Sequence, residues 1–232
     1  MKNVQQKTNS LSLAKIIISQ IMFLLLWTIV TNAWGYSQLL FGASTGSWGN
    51  HLYNLFSRIV WVAPSIILLQ IYKKEIPTTL KNLFSNKPNM KPFIISVAVI
   101  VVYHLGAMFY IHGGFWINPE LNFFKHLLMF VSVGFVEEMV YRGWGLNAFT
   151  KYFSERKANF ISNIFFILLH LPAYFIKLYL TGTFPIAAVA TQCAFVLVLG
   201  LLFGYLYRKG KSLWSPMIVH FLTDFLSVMM IG

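Results

Sequence analysis

The sequence predicts an all-α fold, a polytopic transmembrane helix bundle with about seven spans. Of the 232 residues, 57% are hydrophobic and 10% are charged, and the mean hydropathy is +0.66. A soluble domain is about 45–50% apolar and about 25% charged. The apolar residues also form separate runs, most of them close to the ~20 residues that a membrane helix needs.

These runs define the predicted helices in order. They cover residues 13–34, 55–72, 93–111, 121–147, 158–180, 185–207 and 213–231. One bundle of this size uses the whole chain, so residues 1–232 are expected to form a single integral membrane domain. The second run is short and carries Arg58 near one end, where we expect the side chain to extend towards the membrane surface.

Lysine and arginine residues predict the orientation of the bundle, because cytoplasmic loops of membrane proteins carry an excess of them. Lys2 and Lys7 precede the first helix, and further basic residues occupy loops 73–92 and 148–157 and the loop after residue 207. Loops 35–54 and 112–120 contain neither lysine nor arginine. This alternation predicts a cytoplasmic N-terminus and an external C-terminus.

The net charge of +12 follows from these loops. Basic loops at a membrane surface contact anionic lipids, so the lipid bilayer is the expected partner of this charge and nucleic acid is not. The chain has one cysteine, Cys193, which excludes an intramolecular disulfide.

Ionisable residues inside the predicted spans point to function. The chain has six acidic residues, and three of them, Glu137, Glu138 and Asp224, lie in apolar runs together with His170 and His220. A charged side chain at the centre of a membrane helix costs about 2.5–3.5 kcal/mol on insertion scales. Two glutamates, two histidines and an aspartate are the components of a hydrolytic site, a metal site or a proton path.

The predicted topology brings these residues to a similar depth. With a rise of about 1.5 Å per residue, the glutamate pair lies roughly 15 Å from the cytoplasmic end of its helix. By the same rise His170 lies roughly 18 Å, His220 roughly 10 Å and Asp224 roughly 16 Å along their helices. Three separate helices therefore contribute to one polar level.

Spacing within each helix predicts which side chains share a face. Glu138 and Arg142 are four residues apart and can pair, whereas Glu137 is turned about 100° away. His220 and Asp224 have the same spacing. Pro172, shortly after His170, is expected to open the fifth helix, since proline lacks the amide hydrogen that a helix uses.

Three motifs in order carry a family resemblance. They are Glu137-Glu138-x-x-x-Arg142, Phe166-x-x-x-His170 and His220-x-x-x-Asp224, each on a separate predicted helix. Together they resemble the CPBP intramembrane proteases, the CAAX protease and bacteriocin-processing family that is also called Abi. The resemblance covers residues 93–231, which are therefore the expected catalytic core.

The resemblance implies roles for these residues. Glu137 and His170 would activate a water molecule, and His220 and Asp224 would bind the oxyanion. Asp224 stands where the members that process prenyl proteins have asparagine, and an ionised aspartate cannot donate a hydrogen bond to an oxyanion. Three alternatives follow: Asp224 is protonated, it orients His220, or it helps to hold a metal.

The chemistry of the residues leaves two mechanisms open. Glu137 can act as the base for water while Arg142 holds Glu138 ionised. Alternatively, Glu137, His170 and His220 could bind a divalent metal such as zinc with water in an open position, which would make the protein a metalloprotease. The spacing does not match the HExxH pattern of many zinc proteases.

The function that these observations favour is an intramembrane endopeptidase. Its expected substrate is a peptide or a small membrane protein, such as a bacterial leader, bacteriocin or pheromone peptide, or it serves in self-immunity. A non-catalytic scaffold or immunity protein of the same fold is the first alternative. A proton-coupled transporter is the second, although it predicts inverted repeats that the sequence does not show. The compact form and the lack of an organelle signal favour a bacterial cell membrane, with several spans.

Overall fold

The described part of the chain is helical, which confirms the predicted fold class. The computed structural model describes residues 10–41 and 48–232, apart from the side chains of residues 31–41, 48–51, 54 and 180. Within these ranges it contains no strand. Lys2 and Lys7, which contribute to the predicted orientation, lie outside the described residues.

The helices follow the apolar runs with changed boundaries. They are α1 Leu13–Phe41, α2 Trp48–Ile71, α3 Leu80–Ser85, α4 Met90–His112, α5 Phe123–Glu138, a π-helical segment Met139–Leu146, α6 Asn147–Phe149, α7 Glu155–Leu169, α8 Pro172–Thr181, α9 Ile186–Gly210 and α10 Trp214–Met230. The short α3 lies in a stretch that the sequence predicted as a loop, and Thr79 caps it by accepting a hydrogen bond from the Asn82 amide.

The fifth predicted helix is interrupted at its proline, as expected. α7 ends at Leu169 and α8 begins at Pro172, which occupies its first turn. The amide of His170 bonds to the carbonyl of Ile167 at 3.0 Å, a tightened last turn. His170 therefore sits at the break between two helices instead of within one.

Apolar helices enclose a buried centre. Four stretches of the described residues are long and apolar enough to cross a membrane: Leu13–Val30, Met90–His112, Glu155–Tyr179 and Ile186–Gly210. Leu55–Ile71 is a shorter apolar helix. Val102 on α4 and Val198 on α9 are exposed large hydrophobic residues, as lipid-facing side chains are. The count of seven spans and the membrane orientation stay predictions.

The segment around the glutamate pair is the most enclosed part of the bundle. Every residue from 136 to 149 is buried. The π-helical segment begins immediately after Glu138. A π-helix has a hydrogen-bonding pattern that is rare and that occurs frequently at functional sites, and the sequence pattern did not predict it.

Two glycine positions allow helices to approach closely here. A side chain at Gly134 on α5 would lie 2.8 Å from the carbonyl oxygen of Met217 on α10. A side chain at Gly200 on α9 would lie 1.7 Å from the Asn163 Oδ1 atom on α7. The backbones of α10 and α9 can thus pass beside the glutamate pair.

The basic loops gather at one end of the bundle. The Lys151 Nζ atom donates to the Leu11 carbonyl and to the Glu75 carboxylate, each at 2.6 Å. Glu75 also accepts from the Leu11 amide at 2.9 Å, and Lys211 pairs with Glu155. The segment before α1 and the loops predicted to be cytoplasmic therefore lie on the same side.

Candidate active site

Glu138, Arg142 and His220 form a hydrogen-bonded group that we call the closed cluster. Glu138 Oε1 accepts from Arg142 Nη1 at 2.9 Å, the pair that the helical spacing predicts. The same oxygen lies 2.9 Å from Nδ1 of His220 on α10. Glu138 is fully buried and His220 is 5% exposed. One carboxylate therefore joins α5 to α10.

Arg142 occupies an aromatic and backbone pocket. Its Nη2 atom donates to the Gly200 carbonyl on α9 at 2.8 Å. The guanidinium carbon lies 4.5 Å from the centre of the Phe166 ring and 5.5 Å from that of Phe203. These contacts give the buried cation both hydrogen-bond acceptors and ring faces, which stabilise it.

The His220 ring is held in a defined orientation. It stacks on Phe203 with 4.7 Å between ring centres and meets Phe166 edge-on at 5.9 Å. Because Nδ1 faces a carboxylate, which only accepts, the hydrogen-bond network assigns a proton to Nδ1. His220 Nε2 then faces two further carboxylates, Glu137 Oε2 at 3.7 Å and Asp224 Oδ2 at 3.6 Å.

Glu137, His170 and Asp224 form a second group, the open cluster, beside a cavity of about 420 Å³. Glu137 and His170 line the cavity together with Trp27, Leu169, Pro172, Ala173 and Ile176. Glu137 makes no hydrogen bond to the described residues and is 3.7 Å from its nearest ionic partner. The Asp224 side chain is 30% exposed. Glu137 therefore borders a cavity and Asp224 is partly exposed, whereas Glu138 is fully enclosed.

The His170 ring is fixed through its other nitrogen. Its Nδ1 lies 2.9 Å from the carbonyl of Phe166, so this nitrogen is the donor. Phe166 also meets the ring edge-on at 5.1 Å. The tautomer leaves Nε2 as the basic atom of His170, and the helix break at Pro172 opens this position to the cavity.

A metal site does not fit this arrangement. In residues 10–41 and 48–232, no three His, Cys, Asp or Glu side chains are grouped so that they could hold a metal ion. The proposed ligands Glu137, His170 and His220 therefore do not converge on one point, and no step is assigned to a metal.

All six residues that the sequence proposed for the site lie in the closed and open clusters. Glu138 contacts His220 as well as Arg142. Asp224 lies beside His220 Nε2, where an ionised carboxylate attracts the ring. Arg58 does not extend to the membrane surface: it is 9% exposed, because α2 packs against α5 and the π-helical segment.

Sequence reasoning missed several supporting residues. Asn163 Nδ2 donates to the Leu197 carbonyl at 3.0 Å, and Asn159 Nδ2 donates to that of Leu201 at 3.2 Å. The two asparagines are four residues apart and face Gly200 and Gly204. An asparagine pair at helical spacing in an apolar helix was the available signal. Trp27 on α1 also lines the cavity.

Comparison with known proteins agrees with the motifs. The family model of the type II CAAX prenyl endopeptidases, Rce1-like, matches residues 118–226. The match contains all six proposed site residues and the helices that position them. No curated protein and no solved structure matches the chain. Residues 118–226 are thus similar to the Rce1-like CAAX-type endopeptidases, which confirms the predicted resemblance to the CPBP intramembrane proteases.

Proposed function

We propose that the chain is an intramembrane endopeptidase in which Glu137, assisted by His170, activates the water that hydrolyses a peptide bond. The observation that carries the proposal is the cavity that Glu137 and His170 line together. The Glu137 carboxylate and His170 Nε2 make no hydrogen bond to the described residues. The neighbouring Glu138 is hydrogen-bonded to Arg142 and His220. A general base needs such a free acceptor within reach of water.

The reaction can be written with the residues present. Glu137 accepts a proton from water while the water oxygen bonds to the peptide carbonyl carbon, and the carbonyl oxygen becomes an oxyanion. The C–N bond then breaks, and the proton held by Glu137 passes to the leaving nitrogen. The products are a carboxylic acid, which keeps the second proton of the water, and an amine. His170 Nε2 supports the base by accepting a hydrogen bond from the same water.

His220 is the proposed oxyanion donor. When both ring nitrogens are protonated, Nδ1–H bonds to Glu138 and Nε2–H is free to bond to the oxyanion. Asp224 at 3.6 Å and Glu137 at 3.7 Å attract the positive ring. Of the three roles left open for Asp224, this separation supports the one in which it orients and stabilises His220.

The proposed substrate is a membrane-embedded or membrane-proximal peptide. Most of the cavity lining is apolar, which suits apolar side chains beside the cleaved bond. A bacterial leader, bacteriocin or pheromone peptide, or a role in self-immunity, is the proposed context, in a bacterial cell membrane. Prenylated peptides of the kind named by the family model are the competing substrate class.

Cleavage of two peptides by purified protein in liposomes tests the proposal. One is an unprenylated bacteriocin-type leader, and the other is a prenylated peptide that ends in Cys-a-a-X. We expect wild type to cleave the leader, Glu137→Gln to be at least ~100-fold slower, and a chelator to have no effect. Full activity of folded Glu137→Gln would contradict the proposal, and loss of activity with chelator would favour the metal alternative.

A further inference from the structure

Arg58 is a buried cation next to the open cluster that the mechanism above does not use. It is 9% exposed, and its Nε and Nη1 atoms are buried without a hydrogen-bond partner among the described residues. An uncompensated buried charge is strongly unfavourable. A residue of this kind in a membrane helix is by default a functional candidate.

The location of Arg58 connects it to the cavity. Its guanidinium carbon lies 5.5 Å from the centre of the Trp27 ring, and Trp27 lines the cavity with Glu137 and His170. The acidic residues whose charges act on Arg58 are Glu137 and Asp224. Neither is close enough to form an ion pair with it, so both favour the cation without occupying its hydrogen-bond donors.

We propose that Arg58 binds a carboxylate of the peptide substrate and thereby selects which peptides enter the cavity. This proposal rests on the peptidase function proposed above. The carboxylate has two chemical sources, a free C-terminus or the side chain of an acidic residue.

The chemistry of the free atoms favours a carboxylate. Nε–H and an Nη–H of a guanidinium point in parallel and match the two oxygens of a carboxylate, which makes a bidentate pair. In Arg58 the two unpartnered atoms, Nε and Nη1, lie on either side of Nη2, so each of the two edges that can hold a carboxylate keeps one free donor atom. A carboxylate bound at either edge would satisfy one of these donor atoms and neutralise the charge. The substrate carboxylate would meet Arg58 at the part of the cavity wall that Trp27 forms.

Binding measurements separate this proposal from the peptidase proposal. The host is Glu137→Gln protein in detergent, so that the peptides stay intact. The probes are four N-terminally fluorescein-labelled apolar pentapeptides, measured by anisotropy. Two are Ala-Leu-Val-Ala-Leu as the free acid and as the C-terminal amide. The other two are C-terminal amides with either Glu or Gln at the central position.

We expect protein that retains Arg58 to bind the acid-containing peptide of one pair about 10- to 100-fold more tightly than the neutral peptide of that pair. The reason is that hydrogen bonds to charged groups are the strong ones. The pair that shows the preference identifies the source of the carboxylate. Arg58→Gln should abolish the preference, and Arg58→Lys should retain part of it. The matched control is Arg208→Gln on α9, whose Nε is also buried and unpartnered, and it should retain the preference.

Three results would overturn the inference: equal affinity within both pairs, absence of binding, or a preference that survives Arg58→Gln. Melting temperature gives an independent check on a structural role. Removal of an unpaired buried charge should leave the melting temperature unchanged or raise it. A lower melting temperature with unchanged peptide preference would make Arg58 a structural residue. If the peptidase proposal fails, wild type will not cleave the peptides in liposomes. The affinities measured with Glu137→Gln protein do not depend on cleavage and can still be interpreted.

Discussion

Glu137 and Glu138 are adjacent in the sequence, yet they belong to regions of different construction. In the closed cluster, Glu138 Oε1 bonds to Arg142 and His220 at 2.9 Å each. In the open cluster, the nearest ionic contacts of Glu137 and Asp224 are 3.7 and 3.6 Å long, both to His220 Nε2. Short contacts among buried groups therefore hold the helices in register, whereas longer contacts beside a cavity leave room for a reacting molecule.

Loss of the buried pair is the largest expected effect. Arg142→Ala leaves the Glu138 carboxylate buried with only His220 as a partner. Glu138→Gln leaves the Arg142 guanidinium buried without its carboxylate partner. Breaking a buried pair by removing one partner costs about 3–5 kcal/mol. Both variants should therefore lose folded yield and melting temperature as well as activity, measured by thermal unfolding in detergent.

The matched control for this prediction is Glu137→Gln, which removes the neighbouring carboxylate from the open cluster. Its melting temperature should stay near that of wild type, because Glu137 makes no hydrogen bond to the described residues. If Glu137→Gln unfolds and Glu138→Gln is stable but inactive, the roles within the glutamate pair are inverted.

A variant of the open cluster should affect catalysis and not folding. His170→Ala removes the basic Nε2 from the cavity while the helix break at Pro172 stays in place. Activity should fall by at least ~100-fold, the lower range for loss of acid–base catalysis, which corresponds to about 2.7 kcal/mol. Cleavage rates and unfolding are measured side by side, and a rate within a few fold of wild type would remove His170 from the mechanism.

Close packing behind the closed cluster predicts a smaller effect. In Gly200→Ala the new methyl group would meet Asn163 Oδ1 at 1.7 Å and Arg142 Nη2 at 3.0 Å. Over-packing of a well-packed interior costs about 1–3 kcal/mol. The control is Gly106→Ala on α4, where nothing lies within 4 Å, and helix propensity should make it stabilising by up to about 1 kcal/mol. Equal melting temperatures for the two variants would contradict the packing.

The smallest effect is expected outside the bilayer. The Lys151 ammonium holds the pKa of Glu75 below its usual range, helped by the Leu11 amide. A depressed carboxyl pKa stabilises the fold above the unfolded pKa, and this contribution is lost as the pH falls towards the folded pKa. Both side chains are about a quarter exposed, so at most about 1 kcal/mol is at stake.

Lys151→Met should therefore lower the melting temperature slightly at pH 7. The difference from wild type should shrink at pH 4, where Glu75 begins to protonate. Arg156→Met, in the first turn of α7 and without a described ion pair, is the control. A difference that grows as the pH falls would contradict the sign worked out for Glu75.

Much of the candidate site could be predicted from the sequence because it is local. Glu138 with Arg142, His220 with Asp224 and Phe166 with His170 are each four residues apart, and helix geometry alone brings such side chains together. The break at Pro172 is equally local, since it follows from the missing amide hydrogen. The fold class followed from composition and from the lengths of the apolar runs.

The contacts between helices could not be predicted in the same way. The bond from Glu138 to His220, the bond from Arg142 to the Gly200 carbonyl and the burial of Arg58 depend on how far one helix slides and turns against another. Apolar periodicity identifies a buried face but leaves this register open. The π-helical segment after Glu138 depends likewise on the packing of four surrounding helices.

Composition and the geometry within one helix were enough to predict the membrane class, the helical elements and the candidate site residues. The division of these residues into a closed and an open cluster depends on the packing of several helices. Two adjacent glutamates point about 100° apart on a helix, so they meet different neighbours on α10, α9 and α7. One carboxylate is therefore hydrogen-bonded in the interior, and the other faces a cavity.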